Sequence, residues 1–187
     1  MDHYVDIDLR PDPEFPPHQL MAALYAKLHR ALVAQGNTAI GVSFPGFDSK
    51  APHLGAQLRL HGGHSVLSML LAGDWLTGMR DHVALTPPAP VPDNAKHRCV
   101  ARVQVKSSPE RLRRRLMRRQ NIDEQEARRR IPDESARFAH LPFIQLRSTS
   151  TGQTFRLFIE HGPIQPTAAT GDFNAYGLSQ GATIPWF

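Results

Sequence analysis

The chain has 187 residues, 41% hydrophobic and 21% charged, which is enough for one large domain or two small ones with a buried core. Its 22 basic residues exceed its 17 acidic ones, and residues 96–137 alone hold 14 basic and 6 acidic side chains, which points to a polyanionic partner. Because Cys99 is the single cysteine, an internal disulfide and a cysteine zinc site are excluded. The sequence shows neither a secretory leader nor an apolar stretch long enough to span a membrane, so we expect a cytoplasmic protein.

The first 85 residues predict a β-α-β-β-α-β order of elements. Residues 4–10 alternate apolar and polar side chains, as a half-buried strand does. Leucines spaced four residues apart indicate a helix over residues 17–34, which Gly36 ends. The remaining predicted elements are strands at 40–44 and 54–60, a helix at 64–76 and a weaker strand at 82–85. This order is ferredoxin-like and belongs to the α+β class.

A proline-rich stretch, Pro87–Pro92, cannot form a helix or a central strand and is the predicted domain boundary. We therefore expect a ferredoxin-like domain at residues 1–94 and a second domain at residues 95–187. After Gly162 the sequence shows only glycine and proline turns around short apolar pieces, and no further element is predicted there.

The second domain is predicted to contain a strand and a β-hairpin besides its helices. The strand covers residues 99–106 and carries Arg102 and Gln104 on its polar face. The hairpin pairs residues 143–148 with residues 154–160 around a glycine-containing turn.

A run of arginines dominates the predicted helix over residues 108–119, which Ser107 or Ser108 caps. Each residue of a helix turns by about 100° around the helix axis, so several of these arginines lie on one face, within an arc of about 100°. This arginine stripe comprises Arg111, Arg114, Arg115 and Arg118, with Arg119 at its border. Leu112 and Leu116 lie on the neighbouring face and can dock the helix. No glutamate partner is expected for the stripe, so a bound polyanion is favoured over a solvated surface helix, which stays the alternative.

A second run, Arg128–Arg130, lies in a short helix predicted to start near Asp123 and to end by Ile131. Glu124 and Glu126 precede these arginines at helical spacing, which favours a salt-bridged surface. Contact with a polyanion is the alternative for this second run.

The nature of the polyanion is indicated mainly by missing motifs. Helix-turn-helix, zinc-finger and basic-zipper patterns are absent from the sequence, so a DNA-binding regulator is the weakest hypothesis. The aromatic platform motif of RNA-recognition domains is absent as well. We therefore favour an arginine helix laid against a structured RNA hairpin.

Candidate catalytic groups are few. The one tight histidine pair, His61 and His64, has no carboxylate or cysteine near it in the sequence, so we expect no metal site and no cofactor. RNA supplies its own nucleophile, the 2′-hydroxyl, so a ribonuclease needs only groups that orient it and move protons, such as His, Ser, Tyr or Arg. From its position alone, His29 is a helix-surface histidine.

Several segments together resemble a known family. They are Pro-Asp-Pro-Glu-Phe-Pro-Pro at 11–17, Leu28-His29, the stretch 108–119, Leu-Arg-Ser-x-Ser-Thr-Gly-Gln at 146–153, Phe-Arg-Leu-Phe at 155–158, Tyr-Gly-Leu-Ser at 176–179 and the closing Pro-Trp-Phe. In this combination, over essentially the whole chain, the sequence is similar to the CRISPR-associated endoribonucleases of type I-F (Ypest subtype) systems, which cut the repeat hairpins of the long CRISPR transcript.

The resemblance implies four catalytic residues. His29 would transfer the proton, as general base, general acid or both, and Ser148 would hold the 2′-hydroxyl in line with the scissile phosphate. Tyr176 would orient the histidine, and Ser150 would lie near the scissile phosphate.

The resemblance also implies how RNA is recognised. Phe155 would stack on the base at the foot of the hairpin, Arg102 and Gln104 would contact the edges of the lowest base pair, and the arginine helix would enter the major groove of the stem. The RNA-binding set is then Arg102, Gln104, Ser108, Arg111, Arg114, Arg115, Arg118, Arg119 and Phe155.

The implied reaction is metal-independent cleavage of precursor CRISPR RNA at the base of the repeat stem-loop by 2′-hydroxyl attack. It gives a 5′-hydroxyl fragment and a cyclic 2′,3′-phosphate or 3′-phosphate. The implied partners are the repeat hairpin, which stays bound as part of the guide RNA, and the other subunits of the type I-F surveillance complex. No membrane association is expected, and the free protein is expected to be monomeric. The alternative is a non-catalytic subunit that binds RNA hairpins in a ribonucleoprotein.

Overall fold

The computed structural model describes residues 1–48, 50, 53–104, 109–132, 141–148 and 151–187. Within these ranges the chain is of the α+β class, as predicted, with antiparallel sheets. The strands are β1 (His3–Leu9), β2 (Gly41–Ser43), β3 (Gln57–Gly62), β4 (Val83–Leu85), β5 (Ala89–Pro90), β6 (Lys96–Val103), β7 (Phe143–Arg147), β8 (Thr154–Gln165) and β9 (Ile184–Trp186). The helices are α1 (Pro17–Gln35), α2 (His64–Ala72), α3 (Pro109–Gln120) and α4 (Glu124–Arg130). None of the described helices has the length and apolar character needed to cross a bilayer.

The first sheet has the order β2-β3-β1-β4, and β5 pairs with β1 beside β4. All neighbouring strands are antiparallel, and the observed element order is the predicted β-α-β-β-α-β. The predicted second helix is shorter than expected, because Gly73 adopts an extended backbone. A separate 3₁₀ turn, Asp74–Leu76, follows it.

Helix α1 follows its leucine pattern closely. The side chains buried on one face are Leu20, Leu24, Leu28 and Leu32, with Met21 and Tyr25 beside them. Gly36 ends the helix with a φ of 58°, and its N–H donates to the carbonyls of Leu32 and Val33. A left-handed residue at this position is best supplied by glycine, so the sequence itself fixes where α1 stops.

The second sheet has the order β7-β8-β6-β9, and it contains the predicted hairpin β7–β8. Strand β8 is longer than predicted, since it continues past residue 160 to Gln165. Strand β6 starts at Lys96, three residues before the prediction, and ends at Val103, while residues 105–108 lie outside the described residues. The early start follows from the extra residues of β8, which pair with His97 and Arg98, and from β9, which pairs Lys96 with Trp186 and which the tail sequence did not predict. A strand of three residues has too little alternation to be recognised locally.

The C-terminal segment, residues 173–187, connects the two sheets. Phe173 N–H donates to the carbonyl of Thr38, and Val42 N–H donates to the carbonyl of Gly177. Strand β9 at the end of the same segment pairs with β6. The buried apolar residues of both sheets accordingly form one continuous cluster.

The polar face of β1 is less open than expected. Asp6 is only 8% exposed and accepts two hydrogen bonds from Arg59, at 2.6 and 2.9 Å. Arg59 also donates to the carbonyl of Phe187, and its guanidinium lies 4.1 Å from the centre of that ring. The last residue of the chain therefore covers this part of the first sheet.

Candidate functional site

The candidate site is a cleft of ≈ 340 Å³ between the second half of α1 and the β7–β8 hairpin. The described residues that line it are Ala26, His29, Arg30, Val33, Ala34, Leu146, Arg147, Ser148, Phe155 and Tyr176. Four of the side chains for which the family resemblance implies a role meet here: His29, Ser148, Phe155 and Tyr176. They come from three separate parts of the chain, so only the folded protein brings them together.

His29 is held at the cleft by two contacts. Its Nδ1 lies 2.8 Å from the carbonyl oxygen of Ala175, and its ring stacks on Tyr176 with centroids 4.0 Å apart and an angle of 7°. A carbonyl oxygen can only accept, so Nδ1 carries the hydrogen of this bond. The neutral ring therefore leaves the lone pair on Nε2, which is the nitrogen able to exchange a proton with a substrate.

The loop that supplies this carbonyl is itself fixed. Tyr25 donates its hydroxyl hydrogen to the carbonyl of Tyr176 over 2.6 Å, and the Oδ1 of Asn174 accepts from the N–H of Tyr176. Gly177 has a φ of 68°, and a Cβ there would lie 2.6 Å from Cγ1 of Val42. Desolvation raises the pKa of the buried Tyr25 well above its ordinary value, so its hydroxyl stays a donor.

Ser148 and Phe155 form the opposite wall of the cleft. Ser148 directly follows β7, where its N–H donates to the carbonyl of Gln153 and its Oγ accepts from the N–H of Thr151 at 3.2 Å. Phe155 lies on β8 and is half-buried against the apolar core. Both positions belong to one hairpin, in which Leu146 pairs with Phe155 and Arg147 with Thr154, so its register sets the distance from the serine to the aromatic ring.

Arg102 lies beside this group, and Gln104 follows its strand. Arg102 belongs to β6, and its guanidinium lies 5.6 Å from the centre of the Tyr176 ring. The carbonyl of Arg102 accepts from the side-chain amide of Gln180. Gln104 is exposed just past the end of β6. Neither residue is among the described residues that line the cleft, and Arg102 approaches it only through its contact with Tyr176.

The arginine stripe lies on the exposed side of α3. All five side chains assigned to it are exposed: Arg111, Arg114, Arg115, Arg118 and Arg119. Leu112 and Leu116 are half-buried, as a docking face requires. The expectation that no glutamate pairs with the stripe was wrong, because Glu110 lies 3.8 Å from Arg114 one turn earlier on the helix. Both side chains are well exposed, so the pair neutralises little of the stripe.

Arg113 does not belong to the stripe. It is only 7% exposed, and its Nε donates to the carbonyl of Ile131 just after α4. This arginine ties α3 to α4. The sequence pattern did not indicate this role, since the run of arginines around Arg113 hides a buried position.

Helix α4 is the salt-bridged surface that its sequence favoured. Asp123 caps it by accepting from the N–H of Glu126. The ion pairs along it are Arg128 with Glu124, Arg129 with Glu126 and Arg130 with Glu126. All three arginines therefore have an ion-pair partner within their own helix, and Arg129 and Arg130 share Glu126.

Two implied site residues, Ser108 and Ser150, lie outside the described residues. Three contributors were not found by sequence reasoning: the carbonyl of Ala175, the hydroxyl of Tyr25 and the amide of Asn174. No side-chain pattern announces a backbone acceptor, and Tyr25 had the appearance of an ordinary core aromatic. Their partners lie far away in the sequence, so periodicity carried no signal for them.

Two other histidines, the buried His61 and the half-buried His161, lie outside the cleft. Burial lowers the pKa of His61 and that of His161 to about 3 in each case, with nearby Arg59 and Arg98 respectively as further causes. His61 contacts the hydroxyl of Ser43 at 2.8 Å and belongs to the core. No group of three His, Cys, Asp or Glu side chains that could hold a metal ion occurs within the described part of the chain.

Comparisons with known proteins agree with this picture. Residues 4–187 match the family model of the CRISPR-associated protein Cas_Csy4. The chain is 60% identical over 187 residues, the full length of both proteins, to the CRISPR-associated endonuclease Cas6/Csy4 of Pseudomonas aeruginosa (strain UCBPP-PA14). It is 46% identical, again over both full lengths, to the protein of the same name from Escherichia coli (strain UTI89 / UPEC). The resemblance seen in the sequence is thereby confirmed, and the chain belongs to the Cas_Csy4 family of CRISPR-associated proteins.

Proposed function

We propose that the protein is a metal-independent endoribonuclease that binds the CRISPR repeat stem-loop and cleaves precursor CRISPR RNA at the base of the hairpin. The observation that carries the proposal is the meeting of His29, Ser148, Phe155 and Tyr176 around one cleft. Relatives that match over their full length are named CRISPR-associated endonucleases, which supports the same activity.

The proposed chemistry uses the 2′-hydroxyl of the RNA as nucleophile. Its oxygen attacks the adjacent phosphorus, the bond from phosphorus to the 5′-oxygen breaks, and a cyclic 2′,3′-phosphate and a 5′-hydroxyl end result. One proton leaves the attacking oxygen and one reaches the departing oxygen. In either transfer His29 acts through Nε2, because Nδ1 is engaged by Ala175. A positioned histidine contributes about 10²–10⁴-fold to such a step.

The remaining groups orient the RNA in this proposal. Ser148 holds the 2′-hydroxyl in line with the scissile phosphate, Ser150 lies near that phosphate, and Tyr176 keeps the imidazole in place through their stacked rings. Phe155 stacks under the last base pair of the stem. Anchoring of the RNA in this way places the cut at the foot of the stem.

Recognition of the stem is assigned to the second half of the chain. The arginine stripe, together with Ser108, contacts the stem, and Arg102 and Gln104 contact the edges of its lowest base pair. The exposure of the stripe supports this assignment, since guanidinium groups bind phosphates and guanine edges in a bidentate manner.

The proposed organisation follows from these assignments. Residues 1–94 form a ferredoxin-like domain that supplies His29, and residues 95–187 form the RNA-binding domain. The product hairpin stays bound, and the complex joins the other subunits of the type I-F surveillance complex in the cytoplasm, while the free protein is monomeric.

The test is the cleavage of a labelled repeat stem-loop with excess EDTA, by the protein and by its His29→Ala variant. We expect the unsubstituted protein to cut, and the variant to bind with an affinity within a few-fold but not to cut, because His29 moves a proton and carries little binding energy. Full cutting by the variant would contradict the assignment of His29.

A modified substrate separates the proposed mechanism from hydrolysis by water. A 2′-deoxy substitution just before the scissile phosphate removes the nucleophile and leaves the stem unchanged. We expect binding without cutting. Cutting of this RNA would show that water attacks, and binding without cutting by the unsubstituted protein on normal RNA would favour a non-catalytic hairpin-binding subunit.

A further inference from the structure

Part of the cleft is not used by the proposed reaction. Its lining includes Arg30, Val33, Ala34 and Arg147, which together we call the flank subsite. Arg30 directly follows His29 on α1, and Arg147 directly precedes Ser148 on β7. An arginine therefore adjoins in sequence each of the two residues that would act on the scissile bond.

No carboxylate of the described residues balances the positive charge of the flank subsite. Among the described residues that line the cleft none is acidic, and within the described part of the chain no carboxylate pairs with Arg30 or Arg147. The Nε of Arg147 donates to the carbonyl of Gly152 at 3.1 Å, which fixes the stem of this side chain and leaves its terminal nitrogens to other partners. Two exposed cations without a protein anion are suited to a phosphate.

The flank subsite also has an apolar side. Val33 is 55% exposed, although it lies on a helix whose other face is fully buried. Ala34 is exposed beside it, next to the end of α1. A cleft of ≈ 340 Å³ is at the lower end of small-ligand pockets and has room for about one nucleotide. Cations beside an apolar wall are the usual surface for single-stranded RNA.

Building on the proposed function, we propose that the flank subsite binds the single-stranded nucleotide next to the cut, outside the stem, with Arg30 and Arg147 on the phosphate that follows this nucleotide and Val33 against the nucleotide itself. With Phe155 under the last base pair, the strand that passes His29 continues beyond the stem. The next phosphate along this strand comes to the two arginines.

The experiment compares two RNAs that contain the same hairpin. One carries several nucleotides past the cut, and the other is trimmed to a single nucleotide there. The cleavage rate is measured against protein concentration at several salt concentrations for the unsubstituted protein, for Arg30→Gln and for the double variant Arg30→Gln/Arg147→Gln. Arg80→Gln, an exposed arginine paired with Asp74 away from the cleft, is the matched control.

On the longer RNA we expect the double variant to need about five times more protein for half-maximal cutting, with a salt slope reduced by about 0.7 for each lost phosphate contact. Arg30→Gln alone gives the smaller of the two effects. On the trimmed RNA the difference from the unsubstituted protein shrinks to within about twofold, and Arg80→Gln behaves like the unsubstituted protein on both RNAs.

An equal loss on both RNAs would overturn the subsite, because it would trace the effect to a displaced Ser148 turn or to overall charge. Unchanged behaviour of Arg30→Gln and of the double variant on the longer RNA would overturn it as well. If the unsubstituted protein cuts neither RNA, the proposed function is wrong, and so is the subsite that rests on it. If it cuts both RNAs, the proposed function stands and the behaviour of the variants tests the subsite separately.

Discussion

The orientation of His29 depends on atoms that are not themselves reactive. The carbonyl of Ala175 selects which ring nitrogen carries hydrogen, and Tyr25 fixes the loop by donating to the next carbonyl, that of Tyr176. Loss of this support lets the imidazole rotate without changing any group that contacts RNA. Tyr25 is therefore a positioning residue in the proposed reaction.

Tyr25→Phe removes this hydroxyl and little else. We expect the maximal cleavage rate to fall about three- to tenfold with the hairpin affinity unchanged, because the imidazole is held less well in line. The free energy of unfolding falls by about 1–3 kcal/mol, since a buried carbonyl loses its partner. Single-turnover cleavage and binding assays check this.

Tyr4→Phe is the matched control for this change, because it removes a tyrosine hydroxyl that lies outside the cleft. A Tyr25→Phe protein that is destabilised but cuts at the normal rate would show that the hydroxyl is purely structural.

At the scale of elements, the runs of arginine on α3 and α4 differ in the ion pairs described for them. On α4 each arginine contacts a glutamate of its own helix, whereas the stripe on α3 has the exposed Glu110 near Arg114. Like charges three and four residues apart destabilise a helix by about 0.2–0.5 kcal/mol for each pair. A bound phosphate chain would remove this cost, which supports the proposed role of the α3 stripe in RNA binding.

Replacing Arg115 and Arg118 together by glutamine tests this difference. We expect much weaker binding of the hairpin, and a dependence of affinity on salt that flattens by about 0.7–0.9 for each lost phosphate contact. The same double replacement at Arg128 and Arg129 on α4 is the control, and it is expected to leave the salt slope nearly unchanged. Equal salt slopes for the unsubstituted protein and the α3 variant would contradict RNA binding by the stripe and favour a solvated surface helix.

At the scale of the whole molecule, stability and site geometry share one segment. Within residues 173–187, Gly177 bonds to β2 of the first sheet, Phe173 bonds to Thr38 just before β2, and β9 pairs with the second sheet. The same segment carries Ala175 and Tyr176, which hold His29. A loss of packing between the sheets would therefore move the acceptor of the histidine as well.

We also expect the folded state to be sensitive to acid through His161, which stacks on Phe47 with centroids 3.8 Å apart. Neither ring nitrogen of His161 finds a hydrogen-bond partner among the described residues. Burial, with Arg98 as a further cause, lowers its pKa from 6.5 to about 3. Between these values the unfolded chain binds a proton that the folded chain does not, so stability falls as the pH falls.

His161→Phe removes this titration and keeps an aromatic ring against Phe47. We expect the free energy of unfolding to fall less steeply between about pH 6 and pH 4, by up to about 1.4 kcal/mol per pH unit relative to the unsubstituted protein. Urea unfolding at several pH values measures it. His18→Gln, at an exposed position, serves as the control, and an identical slope in His161→Phe and the unsubstituted protein would contradict the expectation.

The parts of this fold that repeat locally were predictable. The leucine spacing of α1 and its terminal Gly36 define a helix without help from any neighbour, and the hairpin β7–β8 agrees with its alternating pattern. Strand β9 and the early start of β6 were missed, because a short strand is stabilised by the partner it pairs with rather than by its own pattern.

The sequence by itself determined the local elements, the separation of charge into one cationic segment and, through its motifs, the family. The tertiary structure alone decided how His29 is used. By position it is a surface histidine on α1, and its imidazole is oriented for the proposed proton transfer only because a carbonyl 146 residues away lies 2.8 Å from its Nδ1. Local periodicity reports which face of an element is buried; it holds no information about which distant backbone atom that face will meet.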